Sequence, residues 1–422
     1  MLNDLYGQHL STTNPRTRDG INAFILGFLS NETRINTILE ASQADPASGL
    51  AAAWAAALKM MTESHSGREA AIPFMEKALI QRSAALPREQ RIIDTIEAWV
   101  EGDIPAMLRH GNHLLDEFPR ELAMAKLMQI QYFNLGDTDG MARIAAKGIK
   151  ASPDDPYMLG MLSFAQEQNH GIAAAEITAR RALALRPKEP WSQHTLAHVY
   201  LARGKHEEGL AFLEEVRETW TDLNSFMDTH LWWHLCLFRL ALGQHEGLTE
   251  IWDRQLWSRN REFSQDQIGA VSMLARMEIH GIDTGRRWQQ VAFFLGARTN
   301  DMVNPFHTLQ YLYGLARAGS LGADELMQNI ELHSRNHQGF DRRRWRQVAL
   351  PAARGMLCHA RGDYAGAAAH LGPVLRRMSS LGGSHAQREL FDLIYEHSKD
   401  QLASGTRLRA RLYSHPENSD AI

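Results

Sequence analysis

Two kinds of punctuation keep one interval over successive stretches of this chain. Pro119, Pro153 and Pro187 stand 34 residues apart. Gly102 and Gly136 are separated by the same 34 residues, and further periods reach the pair His170-Gly171 and then Gly204. A recurring glycine suits the left-handed turn that ends one helix, and a recurring proline suits the stop after its partner. Between them lie small residues that let two helices approach closely, such as Ala175, Ala179 and Ala182. The chain therefore reads as an array of helix–turn–helix units. Its 422 residues would otherwise suggest about three globular domains.

An interval of 34 residues is that of the tetratricopeptide repeat. The expected fold is all-α: an α-solenoid of antiparallel, tetratricopeptide-like helix pairs, curved or ring-like, with a central concave cavity. One such unit is expected over 1–422, with regular repeats over 88–221, looser pairs over 18–87 and 222–403, and a flexible tail over 404–422. In the looser part, Gly243, Gly281 and Gly319 end apolar helices, and the Ala-rich AGAAAHLGPVL follows Asp363-Tyr364. Period-two alternation of β-branched residues is absent, so no strands are expected, and about 16 to 18 helices are.

Composition narrows the partners. Lys and Arg number 45 against 49 Asp and Glu, so no basic excess exists to drive binding to nucleic acid. The two cysteines, Cys236 and Cys358, lie far apart in apolar runs, which argues for a reducing compartment. The N-terminal MLNDLYGQHLSTTNPRTRDG lacks the order of a signal peptide. Its first apolar run, Ile21 to Leu29, falls short of the roughly 20 residues that span a bilayer. A cytoplasmic location without membrane contact is expected. The 20 histidines are the compositional outlier.

Several segments carry a family resemblance: WSQHTLAHVY, THLWWHLCL, SMLARMEIHG with GRRWQQV, NPFHTLQ, and LGGSHAQRELFDLI. LSTTN near the start, REQ at 88–90 and ALP at 349–351 follow in the same order. From about Leu10 to about His397 the chain resembles the tetratricopeptide repeat protein 38 family. The resemblance implies an all-helical solenoid and brings no assigned activity. His385 stands where that family has a smaller polar residue, so no role passes to it.

The histidines supply the chemistry. His194 and His198 fall on the inner-facing side of one repeat's first helix, at the i, i+4 spacing that stacks side chains one turn apart. His230 and His234 repeat that spacing on the next such helix. Ser272 with Arg276, and Asn304 with His307, follow on later helices. Earlier units turn Ile92, Ile96, Trp99, Ile130, Phe133, Tyr157 and Phe164 toward the same groove. An apolar pocket with a few convergent polar groups is the make-up of a small-molecule site. His194, His198, His230, His234 and His307 are the catalytic candidates. Ser272, Arg276, Asn304, Trp233 and Arg388 are the substrate-binding candidates.

Three readings of the histidines stay open. The pairs His194/His198 and His230/His234 suit a divalent metal such as zinc or iron. The same rings could bind ligand or move protons without metal. They could also merely bond one another and Trp233 inside the array. No H-E-x-x-H motif occurs, and Asp228, two residues before His230, points elsewhere on its helix.

Arg276 either meets an internal carboxylate or waits for an anionic ligand group. Gly382-Gly383-Ser384 with Gln387 reads as a capping box, and Arg388 follows it. Ser11, Thr12 and Thr13 read as a helix cap, Cys236 as core, and Arg342 to Arg346 as a solvated helix start. P-loop, dinucleotide and nucleophile-elbow motifs are absent. The primary expectation is a small molecule in a His-rich concave pocket, with metal- or His-dependent catalysis open. The alternative is a scaffold holding a peptide in the groove. A scaffold would repeat cationic clamps along the inner helices, but Lys126 is the one inner-facing lysine of the regular units.

Overall fold

The periodic glycines end their helices. In the computed structural model of the chain, which describes residues 2–413 and side chains through 404, Gly102, Gly136 and Gly204 hold φ of 86°, 69° and 66°. The remaining periodic position, His170, adopts the same left-handed conformation at φ 62° although it carries a side chain. Gly243, Gly281, Gly319 and Gly362 repeat the device at wider intervals. Pro119, Pro153 and Pro187 each follow directly on the residue that caps an outer helix: Phe118, Ser152 and Arg186. A second proline opens several inner helices, as Pro87, Pro156, Pro190 and Pro305 do, where the missing N–H has no partner to lose.

Each repeat pairs an inner helix with an outer one. The inner helix Pro190–Ala202 buries His194, Thr195, Leu196, Ala197, His198 and Val199 in an unbroken run. Its outer partner His206–Val216 buries only Gly209, Leu210 and Leu213. A helix covered on every side and a helix with one apolar stripe are the two outcomes of this layering. Ala175, Ala179 and Ala182 are wholly buried on the outer helix Ile172–Leu185, as their small size predicts. From Leu122–Asn134 the inner helices Pro156–Gln168, Pro190–Ala202, Ser225–Ala241, Ser264–Ile279, Pro305–Arg317 and Leu350–Ala360 pack in succession. The last helix, His385–Tyr413, returns against Ser264–Ile279.

The array closes on itself. Helix Pro15–Ser30 packs against Leu122–Asn134, far along the chain from it. Beyond it, the Asn224 N–H donates to the Asn31 carbonyl at 2.7 Å, and the Thr33 N–H donates to the Asp222 carbonyl at 2.9 Å. Ser264 Oγ donates to the Thr62 carbonyl at 2.7 Å, and Arg344 Nη2 to the Asn134 carbonyl at 2.6 Å. The turn Leu375–Leu381 lies against Gly136. These contacts bring the early and late units together around a central cavity, lined by Phe28 and Asn31 from the first helix and by Ser384 and Gln387 near the last.

Several details depart from what the sequence predicts. There are 22 α-helical segments among the described residues, because the looser region breaks into short pieces. Leu248–Ile251 and Arg342–Arg344 are single turns that run into π-helical turns. A two-residue antiparallel pair, Leu2–Asn3 with His9–Leu10, and a bridge between Glu32 and Leu223 supply β pairing where none was expected. The cap of helix Pro15–Ser30 is Asn14, while Thr12 Oγ1 donates to Asp45 at 2.7 Å. Arg344 is no solvated start, since its guanidinium bridges Asn134 and Ser380. The tail expected over 404–422 is helical in backbone to Tyr413, and its part from 414 onward lies outside the described residues.

Candidate functional site

Successive inner helices set the four paired histidines against one another. The His194 and His198 ring centroids are 4.6 Å apart, His198 and His234 4.7 Å, His230 and His234 4.8 Å, and His194 and His230 4.9 Å. His194 Nε2 lies 3.1 Å from both His230 Nε2 and His198 Nε2. His234 is wholly buried, and neither of its ring nitrogens has a protein partner. Trp233 stacks on His230 with centroids 5.3 Å apart and planes 6° from parallel, and Trp191 and Phe164 flank His194.

Burial sets the charge state of His194, His230 and His234. Burial first, then repulsion from His198 and His230, holds His194 well below the ordinary imidazole range. His234 is lowered likewise by burial, by the three neighbouring rings and by Arg276. Burial and His198 push His230 down to about 3. A ring nitrogen that stays unprotonated near neutral pH is available as a base or as a donor to a metal.

No sequence pattern marks a carboxylate beside these rings, yet one stands behind them. Glu167 Oε2, at the end of the preceding inner helix, is 3.5 Å from His198 Nδ1. Burial would raise the Glu167 carboxyl, but His198, His385 and Gln168 outweigh burial and hold it below its usual value. The i, i+4 pattern cannot reveal Glu167, because its partner lies on a different helix.

The cluster borders a cavity of about 500 Å³. His194 and His230 line it, and His198 and His234 stand behind them. Trp99, Ile130, Phe133, Phe164, Trp191 and Phe226 make the walls. Four of the seven residues expected to face the groove do so. The other three do not: Ile92 and Ile96 are wholly buried in the core, and Tyr157 lies under the Arg186 guanidinium.

Lys126 also borders the cavity, but its Nζ donates to the Phe28 carbonyl at 2.7 Å, the Leu29 carbonyl at 3.1 Å and Asn31 Oδ1 at 3.0 Å. Burial pulls its pKa down to about 7, and Glu189 opposes that. Three acceptors match the three hydrogens of an ammonium at the C-terminal end of a helix. Lys126 is therefore a clamp on Pro15–Ser30, already engaged.

Other expected site residues lie elsewhere. His307 does not join the cluster: its Nε2 is 3.3 Å from Glu63 Oε2 and 3.2 Å from Gln265 Nε2. Arg276 has found the internal carboxylate, with Nη1 3.0 Å from Glu389 Oε2 and Nη2 donating to the Ala386 carbonyl at 2.6 Å. It also lies over Trp233, 5.5 Å from that ring's centre. Asn304 caps Pro305–Arg317 through the Phe306 N–H. The guanidinium of Arg388 holds the Gly383 carbonyl and lies 3.1 Å from His385 Nδ1. Ser272 Oγ is buried without a partner. Ser384 and Gln387 form the expected capping box, and Asp228 pairs with Arg259 at 2.6 Å.

No sequence pattern points to Glu63. This residue is left-handed at φ 48°, borders the cavity, and accepts from Asn134 and from Gln265 Nε2 at 2.6 Å. Burial above all pushes its carboxyl up to about 7. A second cavity of about 660 Å³ shares Glu63, Trp99, Gln131 and Asn134 with the first.

No family model matches the sequence. Among solved structures the chain is similar to one titled "Structure of Naa15/Naa10 bound to HypK-THB", at 12% identity and a TM-score of 0.27. The similarity covers 91% of this chain and 61% of that one, so this chain spans under two thirds of its length. A likeness at that score transfers neither function nor partner. Among the described residues no helix is long and apolar enough to cross a membrane.

Proposed function

We propose that the chain binds a small molecule in its central cavity, between aromatic walls and the imidazoles of His194 and His230. The observation that carries this reading is the convergence of buried, neutral imidazoles on one edge of a cavity walled by aromatic and polar side chains. Its volume falls in the range of about 300–1,000 Å³ typical of such sites. His194, His198, His230 and His234 remain the candidates for acid–base work on a bound molecule, with Glu167 orienting His198. Membership of the tetratricopeptide repeat protein 38 family and a reducing, cytoplasmic location belong to the same proposal. The free cysteines Cys236 and Cys358 support the latter.

The scaffold reading draws less support. The groove that an extended peptide would need is bordered by Phe28, Asn31 and Ile35 on one side and Ser384 and Gln387 on another, and Lys126 is spent on the chain's own carbonyls. Thermal-shift screening of the full chain against small polar and aromatic metabolites tests the proposal. Ligands should stabilise the wild type and bind much more weakly to Ile130→Trp, whose larger indole takes up space in the cavity wall beside Phe133 and Phe164. A screen without ligands, or ligands indifferent to Ile130→Trp, would contradict it.

A further inference from the structure

We infer that His194, His198, His230 and His234 form a binding site for one divalent transition-metal ion of the zinc or iron(II) class, set in the cavity wall. The inference goes beyond ligand binding in the cavity and does not depend on it.

Hydrogen bonding alone leaves this cluster unsatisfied. A neutral imidazole nitrogen either donates one hydrogen or accepts along one in-plane lone pair. His194 Nε2 has two ring nitrogens at 3.1 Å, so one of those contacts is always without a proper bond. His194 Nδ1 and both nitrogens of the wholly buried His234 have no protein partner at all. Buried polar atoms of this kind carry a penalty unless something meets them. Four rings packed only for their apolar faces would not bring their nitrogens together.

A cation takes one nitrogen from each ring and replaces the frustrated contacts at His194 Nε2. One nitrogen each from His194, His230 and His234 lie within 4.8 Å of one another. For bonds of 2.0–2.1 Å, adjacent ligand atoms are about 3.4 Å apart in a tetrahedron and about 3.0 Å apart in an octahedron. The observed 3.1 Å separations fall between the two. Imidazole is a borderline donor and selects zinc, iron, nickel or copper over calcium or magnesium. Behind the ligands, Glu167 stands at His198 Nδ1, the place where a carboxylate orients a ligating ring. Because His194 and His230 border the cavity, a coordination position completed by water or a bound molecule would open toward it.

The test is titration of the full-length chain, stripped with a chelator and dialysed, with Co²⁺ followed by displacement with Zn²⁺. The wild type should take one Co²⁺ per chain with visible d–d absorption, and Zn²⁺ should bleach it. His234→Ala and His194→Ala should weaken binding by roughly 100-fold or more, and Glu167→Gln by about 10- to 100-fold. His307→Ala, a buried histidine outside the cluster, should bind as the wild type does. Circular dichroism checks each variant's fold, and Glu167→Gln carries the test if the alanine variants do not fold. Absence of a one-to-one cobalt complex in the wild type, or equal affinity in folded His234→Ala or Glu167→Gln, would overturn the inference. Ligand screening of the stripped wild type separates the two proposals, because metal without ligand or ligand without metal removes only one of them.

Discussion

His194 Nε2 lies 3.1 Å from His230 Nε2, although the two residues are 36 positions apart on different helices. The contact follows from the repeat. Equivalent inner helices present their i, i+4 pairs at the same height, so the second pair meets the first across the gap. One pair alone would be two buried histidines. Two in register make a site.

Ring closure makes the periodic glycines unequal. A Cβ added at Gly204 would have no atom within 4 Å, so Gly204→Ala bears only the left-handed penalty of about 1–2 kcal/mol. At Gly136 an added Cβ would stand 2.0 Å from the Ser379 carbonyl, so Gly136→Ala should lose about 3 kcal/mol or more. Urea unfolding of both variants measures this. Equal losses would mean that the turn Leu375–Leu381 does not press on Gly136.

Arg276→Met should act on stability rather than on ligand charge. It removes charged hydrogen bonds to Glu389 and Ala386, and Glu389 is 57% exposed and stays hydrated. A loss of about 1–3 kcal/mol is expected in denaturant unfolding, with ligand selectivity unchanged. Unchanged stability with loss of anionic ligands would return Arg276 to the anchoring role read from sequence.

Glu63 gives a pH signature. Its carboxyl titrates at about 7 in the fold against an ordinary 4.5, so between those values the folded state holds the extra proton. Stability must then fall as pH rises through that window. His307, held at about 3 by burial and Arg298, acts with the opposite sign between about 3 and its ordinary 6.5. Comparison with Glu63→Gln isolates the carboxyl: the variant should gain on the wild type steadily from pH 5 to pH 7. A constant difference in unfolding free energy across that range would contradict the assignment.

What was legible in the sequence is local in origin. The 34-residue interval marks helix ends, and i, i+4 spacing marks shared faces, so the helix pairs and the His194/His198 and His230/His234 pairs could be read directly. The curvature of the array leaves no such mark. Glu389 reaches Arg276 across 113 positions, and His307 meets Glu63 and Gln265 instead of the other histidines, because the closing ring decides which units meet. Glu167 was hidden for the same reason on a smaller scale, since it faces His198 from a neighbouring helix.

The most direct measurement is native mass spectrometry of the full chain purified from cells, alongside Ile130→Trp. The account predicts a small molecule retained by the wild type and absent from the variant, with both chains folded by circular dichroism. Both chains free of any organic adduct, or both carrying the same organic adduct, would contradict a ligand-binding cavity.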